Sequence, residues 1–371
     1  MIYFIKNTYC LYVLIFICFH SYGQTERDFE YREVPSDFYF NTFNIEAIEE
    51  NSIIKEINNK NSVEYNTALL QAYIDENEVI VLPDHPIVVS VEGLTLPSNR
   101  KLIFQKNTIL QIEDNNLAEY QLIRIHKVNN VQIINARLQG DRHRHYGTLG
   151  EWGHGISIRG SSNIDIIHFH ISNFWGDGIY IGRMDDSPST NIIIKNGISD
   201  NNRRNGISLT SGKGVTILNT TVSNSNGTLP MYGVDIEPNT NADYIENVII
   251  SKLRSFNNQE GGLLIALNKL KGNNHKNVSI LIDDFMDRDS SIGLRIGQIQ
   301  KNNNIIANTK IKDIILDNNR DKPIRVNSIR NPKIIFVISG LKILNPKNKH
   351  HNHTEYERVF SNNQNVQLIN E

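Results

Sequence analysis

The stretch Gly178-Ile-Tyr-Ile181 is one copy of a pattern that reads glycine, apolar, any residue, apolar. Six copies begin at Gly155, Gly178, Gly206, Gly233, Gly262 and Gly293, with spacings of 23, 28, 27, 29 and 31 residues. A second pattern of alternating apolar residues interleaves with the first and begins at Asn130, Asn163, Asn191, Gly214 and Asn247. Two short strands per repeat, each with a side-chain period of two, predict the successive coils of a β-solenoid.

Polar residues recur at a fixed place in the second pattern. Five residues after its first four starts come Asn135, His168, Asn196 and Asn219. We expect these residues to lie at equivalent bends and to form a ladder of side-chain hydrogen bonds. The irregular repeat length favours a right-handed parallel β-helix, an all-β fold, over a leucine-rich repeat or a β-propeller.

The composition agrees with this fold. The chain of 371 residues contains 55 isoleucines and 50 asparagines. Isoleucine favours strands, and asparagine favours turns and left-handed backbone conformations. The 38 basic and 40 acidic residues give a net charge of −2, which argues against a nucleic-acid partner because such proteins usually carry a basic excess.

The N-terminus has the layout of a secretory signal peptide. Lys6 precedes an apolar run, 11–19, and small residues follow up to Gly23. The run is too short to span a membrane. We therefore predict a signal peptide over 1–23, cleavage, and a secreted or periplasmic protein with no membrane association. Both cysteines, Cys10 and Cys18, would be lost with it.

The rest of the chain divides into three segments. Residues 24–60 are predicted to be an N-terminal extension, and residues 61–345 form the β-helix domain. The pattern over 61–77 predicts an amphipathic helix that covers the open end of the first coil. Residues 346–371 are polar and are predicted to be a solvated C-terminal tail.

One coil is longer than its neighbours, and its extra length, 140–155, is rich in titratable side chains. Five of the twelve histidines lie between residues 143 and 170, and both tryptophans, Trp152 and Trp175, lie close by. Aromatic side chains offer flat faces to sugar rings. This loop therefore indicates a carbohydrate site.

The repeat register predicts a polar strip on one face of the solenoid. Asp177 and Asp235 are separated by two coils, about 10 Å before side-chain reach is counted. This distance suits the acid and base of an inverting glycosidase, so these two are the first-choice catalytic pair. Further catalytic candidates are Glu237, Glu151, Asp141 and His154. The predicted substrate-binding residues are Arg142, His145, Trp152, Trp175, Tyr180, Arg203, Arg204 and Tyr232.

Over residues 62–345 the repeat and the capping helix resemble the pectin-lyase-like superfamily of secreted parallel β-helix proteins. That resemblance implies lyases, polygalacturonase-like hydrolases, uronate epimerases or phage tailspikes. Gly153-His154-Gly155 is similar to a polygalacturonase motif, and Arg295-Ile296 to the start of another. No catalytic residue is transferred, because the order of the motifs differs and Gly297 replaces the expected lysine. The stretch from Trp175 to Gly182 resembles motifs of an uncharacterised bacterial β-helix group.

Three functions remain open at this point. The first is hydrolysis of a polysaccharide, acidic because arginines accompany the carboxylates. The second is β-elimination or uronate epimerisation, for which Ca²⁺ bound by aspartates is an optional cofactor. The third is glycan binding without catalysis. The hydrolase is the preferred prediction, with no cofactor and no metal site.

Overall fold

A computed structural model describes residues 29–40, 56–297, 299, 303–361 and 363–369. The predicted signal peptide, 1–23, lies outside the described residues. No helix in the described ranges is both long enough and apolar enough to cross a bilayer.

The described chain consists of many short strands with a helix near each end. In chain order the strands are β1 Val79–Val81, β2 Pro86–Val89, β3 Leu94–Thr95, β4 Arg100–Ile103, β5 Ile109–Ile112, β6 Glu119–His126, β7 Asn129–Gln139, β8 Trp152–Arg159, β9 Ser162–Ser172, β10 Ile179–Gly182, β11 Ser189–Asp200, β12 Ile207–Leu209, β13 Gly212–Ser223, β14 Tyr232–Ile236, β15 Ile245–Phe256, β16 Gly261–Ile265, β17 Gly272–Arg288, β18 Ile292–Ile296, β19 Asn303–Asp317, β20 Lys322–Val326, β21 Ile334–Leu344 and β22 Val366–Ile369. The helices are a 3₁₀ turn at Ser36–Phe38, α1 at Val63–Glu76 and α2 at His353–Ser361.

These strands form two parallel sheets in the described residues. The short-strand sheet has the order β20-β18-β16-β14-β12-β10-β8-β6-β3, and the other 13 strands form the long-strand sheet. From β6 onward, neighbours in the short-strand sheet are separated along the chain by one long strand, so each of these coils contributes one strand to each sheet. The structure confirms the predicted parallel β-solenoid, with about nine turns.

The core is a stack of aligned aliphatic side chains. Ile156, Ile179, Ile207 and Val234 are consecutive partners on β8, β10, β12 and β14, and all four are fully buried. Burial of each such side chain contributes about 1.5–3 kcal/mol. Repetition of this contact from coil to coil accounts for much of the isoleucine in the sequence.

Asparagines occupy left-handed positions at three rows of bends. The predicted row of Asn135, His168, Asn196 and Asn219 has positive φ throughout, and Asn219 Nδ2 donates to Asn196 Oδ1 at 2.9 Å. Two further rows were not predicted. One begins with Asn99, Asn130, Asn163 and Asn191; the other, which we call the turn row, contains Asn173, Asn201, Asn224 and Asn257. Asparagine adopts this conformation more readily than other residues that carry a Cβ.

The predicted capping helix is confirmed as α1. The Ser62 hydroxyl accepts a hydrogen bond from the Tyr65 amide at 3.2 Å, which satisfies one free donor at the helix start. Leu70 and Ile74 are fully buried against the first coil. The helix therefore begins and ends within two residues of the predicted bounds.

The C-terminal residues fold onto the solenoid instead of forming a solvated tail. β22 pairs in parallel with β21, and α2 packs beside it. Tyr356 and Phe360 of α2 are buried, and Tyr356 Oη donates to Ile324 O at 2.9 Å. The prediction for 346–371 was wrong because two aromatic side chains at helical spacing cover the last coil despite the polar composition.

Residues 29–40, from the predicted extension, lie across the turn row, and we call them the strap. The Arg32 amide donates to Asn224 Oδ1 at 3.3 Å, and Asn224 Nδ2 donates to Arg32 O at 3.0 Å. Phe38 is fully buried and meets the ring of Phe256 edge-on at 5.8 Å. The strap thus forms hydrogen bonds with the side-chain amide of Asn224 in the turn row, and the ring of Phe38 packs into the protein.

Asp287 is a buried carboxyl group that makes stability depend on pH. Ser290 Oγ donates to one of its oxygens at 2.7 Å and Asn319 Nδ2 to the other at 2.6 Å. Desolvation nevertheless raises the pKa of Asp287 to about 7. The folded state then holds a proton that the unfolded state releases above pH 4. Stability should therefore fall as pH rises, on the order of 1 kcal/mol per pH unit between about 4 and 7.

We expect Asp287→Asn to reduce this pH dependence by about half, since buried Asp235 also has a raised pKa. The measurement is the thermal unfolding midpoint at pH 5 and at pH 8. Asp186→Asn, at an exposed position, is the matched control and should keep the wild-type slope. An unchanged slope in Asp287→Asn would show that this carboxyl is ionised in the folded protein.

Candidate active site on the short-strand sheet

The outer face of the short-strand sheet carries polar side chains in the register that the repeat predicts. Ser157, Tyr180, Ser208 and Asp235 are consecutive partners on β8, β10, β12 and β14. Neighbouring strands are about 4.8 Å apart, so these side chains form a continuous row. Three residues earlier on each coil lie His154, Asp177, Asn205 and Tyr232. We call the two rows together the polar strip.

Asp177 is a buried carboxylate held by an arginine and a backbone amide. Arg204 Nη1 lies 3.0 Å and 3.2 Å from its two oxygens, and the Asn205 amide donates to Oδ1 at 3.0 Å. Arg204 Nε also lies 3.5 Å from a carboxylate oxygen of Glu151. Burial favours the neutral form of Arg204, and these carboxylates outweigh it and raise its pKa above the ordinary value. Asp177 is therefore one half of a buried ion pair.

Asp235 is buried without such a cation. Its Oδ2 accepts from Asn205 Nδ2 at 3.3 Å, and its Oδ1 has no hydrogen-bond partner among the described residues. Desolvation, followed by the charge of Glu237, raises the pKa of Asp235 to about 8. At pH 7 this carboxyl group is protonated and can donate a proton.

Glu237 follows Asp235 on the same face of the sheet. Its amide donates to Leu209 O at 3.1 Å, so the pairing with the β12 coil continues past the end of β14. Alternate residues of a strand are about 6.6 Å apart along the backbone. Glu237 is partly exposed. The two carboxyl groups thus differ in solvent access and lie side by side.

His154 is a neutral hydrogen-bond donor. Its Nδ1 accepts from the Asp177 amide at 3.1 Å, so the ring proton must be on Nε2, which is buried without a hydrogen-bond partner among the described residues. Desolvation lowers the pKa of His154 to about 4. The ring stacks on Tyr180 at 5.1 Å with an interplanar angle of 17°. At neutral pH the ring therefore stays in its neutral form. His154, one of the predicted catalytic residues, does not act by gaining and losing a proton.

A groove of about 570 Å³ lies beside the strip, with His126, Arg159, Tyr180, Arg183 and Thr210 among its lining residues. The Arg159 guanidinium lies 4.6 Å from the centre of the Tyr180 ring and forms no ion pair with any described residue. A Cβ at position 182 would lie 2.7 Å from Tyr180 Cε1, so the absence of a side chain at Gly182 leaves room for this ring. Thr210 is adjacent to Glu237 in the strand register. One end of the groove therefore lies next to Glu237.

The long loop, 140–151, is fixed by a second buried cluster. Asp141 is fully buried and accepts from Tyr120 Oη, from Asn115 Nδ2 at 2.8 Å and from His145 Nδ1 at 2.6 Å. The His145 ring stacks on Trp175 at 3.8 Å. The structure thus places Asp141 and His145, both predicted site residues, in a loop anchor apart from the polar strip.

The same tryptophan joins the loop to the strip. The Arg203 guanidinium lies 3.8 Å from the Trp175 ring, and Arg203 Nη1 donates to Gly150 O at 2.7 Å. These contacts hold the loop so that Glu151 lies beside Arg204. Arg203 and Trp175, predicted to bind sugar, here orient the loop.

Three other predicted residues lie in different surroundings. Trp152 is exposed at the edge of the sheet. Tyr232 is in the strip but buried, which raises its pKa to about 12, and Arg295 Nη1 donates to its hydroxyl at 3.5 Å. Arg142 does not reach the strip; it points to the turn row, where it donates to Asn201 O at 2.8 Å.

The sequence analysis missed His126 and the groove arginines as site residues. His126 pairs with Arg159 in the sheet register, and its Nε2 lies 2.9 Å from Ser157 Oγ. Its coil lacks the diagnostic glycine, because Leu122 stands where β8 has Gly155. The alternation of apolar and polar residues in 120–126 was the signal that could have extended the polar strip to this coil.

The described residues contain no cluster of three or more histidine, cysteine, aspartate or glutamate side chains arranged to hold a metal ion.

No protein-family model matches the chain. One curated relative is the uncharacterised protein YclG of Bacillus subtilis, which is 32% identical over 176 residues. The match covers 43% of this chain but 30% of YclG. The chain thus matches less than a third of the length of this relative.

Several solved structures share the fold. The A-module of the mannuronan C-5 epimerase AlgE6 from Azotobacter vinelandii has a TM-score of 0.57 at 18% identity, covering 76% of this chain and 71% of that chain. The pre-mature gene product 12 of bacteriophage phi29 has a TM-score of 0.59 at 16% identity, covering 77% and 40%. An endo-xylogalacturonan hydrolase from Aspergillus tubingensis has a TM-score of 0.52 at 14% identity, covering 73% and 78%.

Proposed function

We propose that this chain, which has the pectin-lyase-like parallel β-helix fold, is an exported hydrolase of an acidic polysaccharide. Asp235 is the general acid and Glu237 the general base. One observation carries the proposal: a buried carboxyl group with a raised pKa and a partly exposed carboxyl group lie on one strand face, next to Thr210 of the groove. Enzymes that act on polysaccharides occur among the structures of this fold, which supports this class of activity.

The two carboxyl groups divide the reaction between them. Asp235 donates its proton to the glycosidic oxygen as the bond to the anomeric carbon breaks. Glu237, which solvent can reach, removes a proton from the water that attacks that carbon. Their Cα atoms are about 6.6 Å apart along the strand. Because Glu237 activates a water and does not attack the sugar itself, the proposal predicts inversion at the anomeric carbon, as in enzymes whose carboxyl groups are roughly 6.5–9.5 Å apart.

Asp177 takes a positioning role in this proposal instead of the catalytic one predicted first. Its oxygens accept hydrogen bonds from Arg204 and from the backbone amide of Asn205, and it is fully buried. Asn205 links the two aspartates, since its backbone amide bonds Asp177 and its side chain bonds Asp235. This arrangement holds Asp235 in place without an ion pair, and the charge of Arg204, which lowers the pKa of Asp235, is outweighed by desolvation.

Arg159 supports an acidic substrate. Its guanidinium faces the groove over the Tyr180 ring and donates to Ser157 Oγ at 3.2 Å, with no carboxylate partner in the described chain. An arginine fork matches the planar carboxylate of a uronic acid. The Tyr180 ring and Arg159 together can hold such a sugar next to the carboxyl pair.

The test is incubation of the exported form with polygalacturonate, alginate and xylogalacturonan. New reducing ends without ultraviolet absorbance, and an inverted anomer in the first product, support the proposal. Absorbance of an unsaturated uronate would show a lyase, and a changed uronate composition without cleavage would show an epimerase. Binding of these polymers without any chemical change would show a glycan-binding protein. Each of these last three results overturns the hydrolase.

A further inference from the structure

A second cavity of about 590 Å³ lies at the turn row beside the strap, away from the polar strip. Its lining residues are Phe29, Tyr31, Arg142, His143, His170, Ser172, Asn173, Asp200, Asn201 and Asn226. None of these residues belongs to the groove or to the carboxyl pair. The cavity combines a cation, two imidazoles and two aromatic rings in one place.

Arg142 is a cation that forms no ion pair within the described residues. Its Nη1 donates to Asn201 O at 2.8 Å and to Asn201 Oδ1 at 2.9 Å, and its Nη2 donates to Asn226 Oδ1. Desolvation, with a contribution from nearby Arg203 and against the charge of Asp200, lowers the pKa of Arg142 to about 10. A largely desolvated charge whose hydrogen-bond partners are all neutral is costly, and an anion placed beside it recovers that cost.

The other polar groups favour a ligand with hydroxyl groups as well as a charge. Asp200 Oδ1 accepts from Ser223 Oγ at 2.6 Å and from Asn224 Nδ2 at 2.8 Å, whereas Oδ2 has one long bond of 3.4 Å from Tyr31 Oη. That second oxygen has room to accept from a ligand hydroxyl. The carboxylate would repel a bare anion, so the anionic group must lie on the Arg142 side.

Aromatic rings and amides complete the fit to a sugar. Phe29 and Tyr31 of the strap form one wall, and aromatic faces pack against the apolar faces of sugar rings. His143 Nε2 lies 3.0 Å from Asn201 Nδ2, which fixes its ring. Desolvation lowers the pKa of both His143 and His170. Both imidazoles are therefore neutral near pH 7, and Arg142 is the cation that meets the ligand.

We propose that this cavity is a second, non-catalytic site that binds a sugar residue carrying a carboxylate or a sulfate. The anionic group bonds Arg142, and hydroxyl groups bond Asp200. The strap builds the site, because it supplies the aromatic wall. The proposal does not depend on the hydrolytic activity, since the cavity shares no residue with the carboxyl pair.

The experiment is calorimetric titration of the full chain with trigalacturonate, with a sulfated galactose trisaccharide, and with maltotriose as the neutral control. Arg159→Gln removes the groove arginine that has no carboxylate partner, and Arg183, the other groove arginine, is paired with Asp243 at 2.9 Å, so the cavity is the binding site under test. In that background Arg142→Gln should weaken binding at least 10-fold. Arg144→Gln, in the same loop but ion-paired to Asp114, is the matched control and should change binding by less than 2-fold.

The outcomes separate cleanly. Binding of one anionic trisaccharide but not the other identifies the anionic group, and equal binding of maltotriose would overturn the proposal. Equal losses in Arg142→Gln and Arg144→Gln would overturn it as well. If Arg142→Gln does not fold, Arg142→Lys keeps the charge without the planar fork and should still weaken binding at least 3-fold. Failure of the hydrolase assays would leave these results unaffected.

Discussion

Replacement of Asp235 by asparagine is expected to lower the rate of polysaccharide cleavage by about 10²–10⁴-fold, the usual contribution of a general acid. The wild-type carboxyl is already protonated and buried, with a pKa of about 8. The amide has the same shape and the same neutral charge, so the fold should be retained. The change removes the transferable proton and little else. The measurement is the initial rate of reducing-end release.

The pH profile gives a second readout of the same residue. Wild-type activity should fall as pH rises through about 8, because Asp235 then loses its proton. The charge of Glu237 contributes to that raised pKa. Glu237→Gln should therefore lower activity and also move the alkaline limb of any residual activity to lower pH.

The matched control is Asp185→Asn. Asp185 lines the same groove but is exposed and ion-paired with Lys127, and its replacement should change the rate by less than about 3-fold. Wild-type activity in Asp235→Asn with normal folding would exclude this carboxyl as the acid. The ion-paired Asp177 would then be the remaining first-choice carboxylate.

The second large effect is expected at the strap. Phe38→Ala removes a fully buried ring that contacts Phe256, and such truncations cost about 3–5 kcal/mol. The strap is held otherwise by polar contacts, among them the ion pair of Arg32 with Asp289 at 2.8 Å and the hydrogen bonds to Asn224, so we expect it to detach locally while the coils remain folded. Hydrogen exchange at the Arg32 amide, which bonds Asn224, should accelerate by about 10²–10³-fold.

Tyr39→Ala tests whether the ring itself or the local sequence matters. Tyr39 is adjacent to Phe38 but 50% exposed, so its loss should alter exchange by less than about 3-fold. Exchange at core amides of β13 should stay slow in both variants. Equal exchange in the wild type and in Phe38→Ala would mean that the strap does not rest on this ring.

Backbone register was the most predictable property of this protein. The spacing of Gly155, Gly178, Gly206 and Gly233 placed Ser157, Tyr180, Ser208 and Asp235 in one row, and the structure has that row. Alternation is local: a side chain two residues after a fixed glycine must face the same way in every coil. A linear pattern therefore carries this information.

The state of each acidic side chain was less predictable. Asp177 and Asp235 were predicted together as one catalytic pair, yet Asp177 is paired with Arg204 and Asp235 is buried without an ion pair. Arg204 lies next to Asn205 in the chain, but nothing in the sequence said which carboxylate it would meet. Side-chain direction and desolvation arise from groups on separate coils, which no local pattern records.

The long loop shows the same limit at a larger scale. Its composition predicted a carbohydrate site, whereas in the structure Asp141 and His145 anchor the loop and Arg142 turns away to a different cavity. These three residues lie within five positions of one another, yet two contact the loop anchor and one lines the second cavity. Outside the repeat, the direction of each side chain depends on which residues of the packed coils lie near it.

The sequence by itself determined the parallel β-helix, its coil register, the N-terminal capping helix and the face that carries the polar strip. These properties follow from the stacking of similar short units, because the strands of each coil must pair with those of its neighbours. The tertiary structure alone decided that Asp177 pairs with Arg204 while burial raises the pKa of Asp235, that the strap crosses the turn row, and that Arg142 lines a second cavity. Those outcomes depend on distances between residues far apart in the chain, and on how much water their packing excludes.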